Sequence, residues 1–222
     1  MKNRSRLWAA RIISLILFGV LLAATLAPAE AGLPPESSAK PASAWDWGPP
    51  IPSDRREWTI LVYMDGDNDL EPYALEKIKE MERGFQDSGA YDVVLLLDRA
   101  RGHSKDFGDW TEARAYRIRH SDAPGIIGSE LLAAHGELNM ADPQNLERFI
   151  RTAAAKFPAK KTALVLWDHG SGWAGLLYDE DAPGKRSGDS MTLEECRQVM
   201  ERTAPLLPER KFSLIQFDMC LM

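Results

Sequence analysis

Residues 162–172 read TALVLWDHGSG, an apolar run that stops abruptly at Asp168 and a glycine-flanked histidine, His169. Residues 211–222, KFSLIQFDMCLM, follow the same plan and stop at Cys220. Each run is short, apolar and ends in polar residues, as a strand buried in a sheet does. Two more runs share this character, 58–64 (WTILVYM) and 91–98 (YDVVLLLD). Between them lie segments of helical period. Leu70, Tyr73, Ala74, Ile78, Met81 and Phe85 form one stripe, with Asx residues ahead of it to cap free N–H groups. Leu146, Phe149, Ile150, Ala153 and Phe157 form a second, opened by Asp142 as N-cap and Pro143 in the first turn. A third holds Leu193, Cys196, Val199, Met200 and Thr203, opened by a Thr192–Glu195 capping box and closed by Pro205 and Pro208. Strands alternating with helices predict a doubly wound α/β sandwich with a mostly parallel sheet. Residues 110–119 alternate instead and read as an edge strand or hairpin arm with one wet face. The polar stretch 173–191 lacks a period and reads as an exposed loop.

In such sheets the active crevice lies outside the carboxyl ends of the strands. That edge collects Asp65 to Asp69, Asp98, His169 and Cys220. Neighbouring strands run about 4.8 Å apart, so adjacent strands ending at His169 and Cys220 would bring imidazole and thiol together. A thiolate is a nucleophile, and a neighbouring imidazole both activates it and returns a proton to a leaving amine. Gly170 lets a backbone N–H approach a substrate carbonyl, and with the Cys220 N–H it could form an oxyanion hole.

Composition bounds these readings. The 222 residues, 45% hydrophobic and 27% charged, fit one soluble domain with some sequence to spare. Residues 1–31 have a basic start, an apolar stretch and Ala29-Glu30-Ala31, the pattern of a secretory signal peptide, which places the protein outside the cytoplasm or in the periplasm. A membrane role is expected only if this leader stays uncleaved. Residues 32–57, rich in Pro, Ala and Ser, read as a linker or extended arm, and the folded domain is expected over 58–222. Removing the leader's Lys2, Arg4, Arg6, Arg11 and Glu30 leaves 23 basic and 32 acidic residues, a net charge of −9. So acidic a protein is a poor nucleic-acid binder and favours basic partners. Two cysteines make no disulfide framework: Cys196, on a helix stripe, reads as core and Cys220 as exposed chemistry.

The series LVYMDGDNDLE, GELNMADP, ALVLWDHGSGW and FDMCLM resembles, in order and spacing, the clostripain family of secreted bacterial cysteine peptidases. The resemblance runs from Trp58 to the end of the chain. It implies a caspase-like three-layer α/β/α sandwich, a His169–Cys220 dyad and hydrolysis of peptide bonds after Arg or Lys, with Asp218 reading the basic side chain. Residues i and i+2 share a strand face, so Asp218 sits where Cys220 can use it. Family members continue past the nucleophile, so C-terminal strands are expected to be absent from this chain. The alternative is a truncated, catalytically silent secreted binding or scaffold domain for basic peptides. Lys185-Arg186, in the loop between the dyad strands, matches the expected preference and reads as a self-processing site.

No cofactor is required by this chemistry. Asp65, Asp67 and Asp69 invite calcium, but Leu70 stands where an EF-hand loop needs glycine, so helix capping is the stronger reading; Asp179 to Asp181 is a second acidic cluster read as a solvated loop. His169-Gly170-Ser171-Gly172 is also similar to the oxyanion loop of lipase-type hydrolases, yet no G-x-S-x-G elbow follows it. His103, His120 and His135 read as ordinary surface or loop residues.

Overall fold

The structure, a computed structural model, describes residues 44–221. The expected signal peptide and the first part of the 32–57 linker lie outside the described residues. No described helix is long and apolar enough to cross a membrane. The chain runs β1 (Trp58–Gly66), α1 (Glu71–Gly84), β2 (Tyr91–Arg99), β3 (Ala113–Arg117), β4 (Glu130–Gly136), α2 (Pro143–Lys156), β5 (Lys161–Asp168), β6 (Leu176–Asp179), β7 (Asp189–Met191), α3 (Leu193–Thr203) and β8 (Leu214–Met219). Six strands form one sheet in the order β4-β3-β2-β1-β5-β8. The four central and right-hand strands, β2, β1, β5 and β8, are parallel, and β3 and β4 add an antiparallel hairpin at one side.

Alternation along the strands assigns the two faces. Leu61, Tyr63, Leu96, Leu164 and Leu166 point to one core with α2 and α3, where Leu146, Phe149, Ile150 and Val199 are fully buried. Val62, Met64, Leu95, Leu97 and Trp167 point to the other, under Ala74, Leu75 and Ile78 of α1. Each fully buried Leu, Ile or Phe contributes roughly 1.5–3 kcal/mol of transfer free energy, so the helical stripes are what fastens the layers. Trp47 joins the first core, 6.3 Å from the Phe149 ring, and Ile51 N donates to Lys156 O; residues 45–51 thus pack over α2.

The helix caps divide between expectation and correction. Thr192 and Glu195 make the capping box, and Asp142 accepts from Gln144 N. At α1 no side chain caps the N-terminus from the N-cap position, which Leu70 occupies. Asn68 turns the chain instead, its Oδ1 accepting from Leu70 N at 2.9 Å. Residues 113–117 are not the edge, because β4 pairs outside them; the alternating 110–119 stretch is the inner arm of a hairpin. β4 itself escaped periodicity because its residues are mostly half-exposed.

The 173–191 segment is a correction. It is not a loose exposed loop: β6 and β7 pair antiparallel, and Leu176, Leu177, Asp179, Ala182 and Met191 are buried. Its polar sequence hid this because only three or four residues of each arm pair. Gly188 closes the hairpin with φ +73°, and a Cβ there would sit 2.5 Å from Asp179 O.

Candidate active site

The chain leaves β1 for β2 on one side, while β5 and β8 lie on the other, so the crevice at the carboxyl ends of β1 and β5 is a topological switch point. β5 delivers His169 there and β8 delivers Cys220. The register Trp167↔Asp218 and Asp168↔Met219 places these two residues opposite each other one step beyond the paired strands. His169 Nδ1 lies 3.8 Å from Cys220 Sγ. Gly172 N donates to Leu221 O at 2.5 Å and ties the loop after His169 to the turn after β8.

The histidine loop is held from behind. Asp168, buried, accepts from Asn68 Nδ2 at 2.7 Å and from Tyr178 N. Asn68 Nδ2 also donates to Tyr178 O at 2.8 Å, joining the turn after β1 to β5 and β6. Burial pushes Asp168 up to about 7, with these hydrogen bonds and the His169 charge opposing the rise. Gly170 is buried and forms an isolated bridge with Leu176, alongside the Ser171 N to Gly175 O bond of 3.0 Å. A cavity of about 370 Å³ opens beside His169, walled by Ser171, Tyr178, Glu180 and Gly188.

Cys220 is exposed, whereas Cys196 is buried in the core and burial raises its thiol to about 11. Asp218 is exposed, on the α1 side of the sheet. It edges a groove of about 280 Å³ whose walls include Ile60, Val62, Met81, Val165 and Trp167, with Lys77 and Glu80 at the rim. The groove is mostly apolar, with Asp218 among the few charged residues that line it. Lys185 and Arg186 are exposed in the β6–β7 connection, and Lys185 pairs with Asp189 at 3.1 Å.

Two features escaped the sequence. His169 Nε2 lies 2.7 Å from Asp69 Oδ1, a contact between residues 100 apart that only the fold brings together. The two acidic clusters also meet: Asp65, Asp67, Asp98 and Asp179 are buried beside one another. Asp65 Oδ2, both Asp67 carboxylate oxygens, Asp98 Oδ2 and Asp179 Oδ1 have no hydrogen-bond donor among the described residues. Asp179 to Asp181 is therefore not simply a solvated loop, since Asp179 is buried and its Oδ2 accepts from Met140 N at 2.7 Å. Burial first, then neighbouring carboxylates, push Asp65 and Asp98 well above the usual range; burial also brings Asp67 to about 6, Glu137 to about 7 and Asp179 to about 8. Asp67 faces Glu137 and Asp179 carboxyl to carboxyl, a contact that becomes a hydrogen bond only when one of the two holds a proton. Among the described residues no group of three or more His, Cys, Asp or Glu is arranged to hold a metal ion.

The model of the clostripain family, Peptidase_C11, matches residues 62–222. This chain belongs to the clostripain family. It is 30% identical over 182 residues to clostripain from Hathewaya histolytica, a match covering 74% of this chain and 34% of that protein. The chain thus spans about a third of this relative's length. Its fold is similar to that of a secreted C11 cysteine protease from Bacteroides thetaiotaomicron, solved with an irreversible peptide inhibitor, at TM-score 0.57 and 22% identity over 74% of this chain and 42% of that one. It is also similar to an inactive zymogen C11 protease from Parabacteroides distasonis, at TM-score 0.54 and 22% identity over 77% and 43%. In this clostripain-family chain the sheet is mostly parallel and flanked by helices, as the sequence predicts.

Proposed function

We propose that this chain carries the catalytic dyad of a secreted cysteine endopeptidase that cleaves after Arg or Lys. The observation that carries the reading is the 3.8 Å approach of His169 Nδ1 to an exposed Cys220 Sγ at the switch point of the sheet. The Cys220 thiol gives its proton to His169 Nδ1, and the sulfur attacks the scissile carbonyl carbon. The carbonyl electron pair moves to oxygen, where the Gly170 and Cys220 N–H groups stabilise it. Collapse breaks the C–N bond, and the leaving amine takes the proton from His169. A thioester remains, and water, deprotonated by the same imidazole, hydrolyses it to acid and free thiol. No organic or redox cofactor enters these steps. Asp218 pairs with the cationic P1 side chain, whose stem lies along the apolar groove.

Secretion is supported by the basic and apolar leader of the sequence and by the Bacteroides thetaiotaomicron relative, described as secreted. Self-processing at Lys185-Arg186 is supported by their exposure in a connection whose next residues, Ser187 and Gly188, wall the cavity beside His169. The test is hydrolysis of a panel of fluorogenic peptides that differ only at P1, with Cys220→Ala as control. Selective cleavage of Arg and Lys peptides, abolished in the variant, supports the proposal. Equal cleavage of Ala or Leu peptides removes the Asp218 role. Activity persisting in Cys220→Ala removes the dyad.

A further inference from the structure

We infer that Asp69 is the positioning residue of the site: its carboxylate holds the His169 ring in the tautomer and orientation that present Nδ1 to Cys220. This rests on the dyad reading above. His169 Nε2 and Asp69 Oδ1 are 2.7 Å apart. A carboxylate only accepts, so Nε2 carries the hydrogen and Nδ1 is left as the nitrogen that faces sulfur. The contact uses an exposed aspartate, 71% accessible at its side chain, and an exposed ion pair by itself contributes little. Here the residue before each partner is itself bonded and buried: Asn68 Nδ2 donates to Asp168 Oδ1 at 2.7 Å. The turn carrying Asp69 is fixed further by Asn68 Oδ1 accepting from Leu70 N and by Glu180 N donating to Asp67 O at 2.9 Å. A buried rivet one residue away from both side chains sets their approach, so Asp69 has little freedom to leave.

The bland alternative is that Asp69 merely adds negative charge ahead of α1, where a helix N-terminus welcomes it. That role predicts a small change in stability and no change in the histidine. The positioning role makes the opposite prediction. When the thiolate has formed, His169 is an imidazolium held between Cys220 sulfur and the Asp69 carboxylate. Removing the carboxylate makes the imidazolium easier to deprotonate, so the proton needed by the leaving amine is lost at lower pH. The other charged groups around the ring are Asp168 behind it, Asp179 and Glu180 across the cavity, and Cys220 itself.

Two measurements on the full chain decide this. The first is ¹⁵N-edited NMR of the His169 ring in Cys220→Ala and in Cys220→Ala with Asp69→Ala. A dominant Nε2–H tautomer with Asp69 present, changing to a mixture without it, supports the assignment; the same tautomer ratio in both overturns it. The second is the pH profile of kcat/KM for an Arg peptide in Asp69→Ala, Asp69→Asn and Asp69→Glu. An alkaline limb moved toward lower pH, a fall of about fivefold in kcat with KM held, and partial recovery in Asp69→Glu support it. An unmoved profile with only a lowered melting temperature overturns it in favour of the helix role. The NMR result stands without peptide turnover, so a ring that responds in a chain that cleaves nothing separates failure of the peptidase reading from failure of this one.

Discussion

At the scale of single residues, what distinguishes the two cysteines is placement alone. Cys196 reads as core from its helix stripe, and burial does raise its thiol. Cys220 and His169 were legible because apolar strands ending in polar residues announce the carboxyl edge of a sheet. The Asp69–His169 contact was not legible, since nothing in a loop of three alternating aspartates says which will reach across to β5. We expect Asp218→Ala to lower kcat/KM for Arg and Lys peptides by roughly tenfold to a hundredfold, the worth of a charge-assisted contact of about 1.5–3 kcal/mol, while leaving Cys220 alkylation by iodoacetamide unchanged. A matching loss of alkylation would show that Asp218 supports the strand rather than the substrate. The buried carboxylates give a pH prediction. Asp179 has a folded-state value of about 8, above its unfolded value. Its contribution is therefore fully present below about pH 4 and fades as pH rises through 8. Asp179→Asn keeps an acceptor for Met140 N and gains a donor for Asp67. The variant is expected to melt higher than the parent at pH 8, on the order of 1–3 kcal/mol more stable. An equal or lower melting temperature would mean that the carboxylates are not held by protons.

At the scale of elements, strands buried on both faces and the three helical stripes were read correctly, because their periods are enforced by burial along their length. β4 and the β6–β7 hairpin were not. β4 is half-exposed, and the hairpin arms are only four and three residues long, so neither carries enough apolar positions to set a period. What holds the hairpin is backbone geometry, and Gly188 carries it. Gly188→Ala is expected to cost about 1–3 kcal/mol of stability, from a strained φ and the collision with Asp179 O. Gly184→Ala, at φ +80° but with nothing within 4 Å of the added Cβ, should cost less, about 1 kcal/mol. Thermal unfolding of the two variants checks the contrast, and equal losses would place the cost in backbone conformation alone. The same connection exposes Lys185 and Arg186. Mass spectrometry of the purified protein should show a cut after one of them that Cys220→Ala prevents; an intact connection in an active sample would end the self-processing proposal.

At the scale of the whole molecule, one topological fact organises the site. Because β1 has β2 on one side and β5 on the other, the loops after β1, β5 and β8 converge on one crevice. Strand-and-helix alternation made that edge predictable, while the pairing of β5 with β8 was only conditional until the register placed His169 opposite Cys220. In the proposed peptidase this convergence activates one thiol and spares the other. The most direct measurement is labelling of the full chain with an Arg-directed, thiol-reactive peptide probe, read by intact mass and peptide mapping. A single adduct on Cys220, none on Cys196, and a rate lowered by orders of magnitude in His169→Ala are expected. No adduct on Cys220, or labelling at the same rate without the histidine, would contradict the proposal.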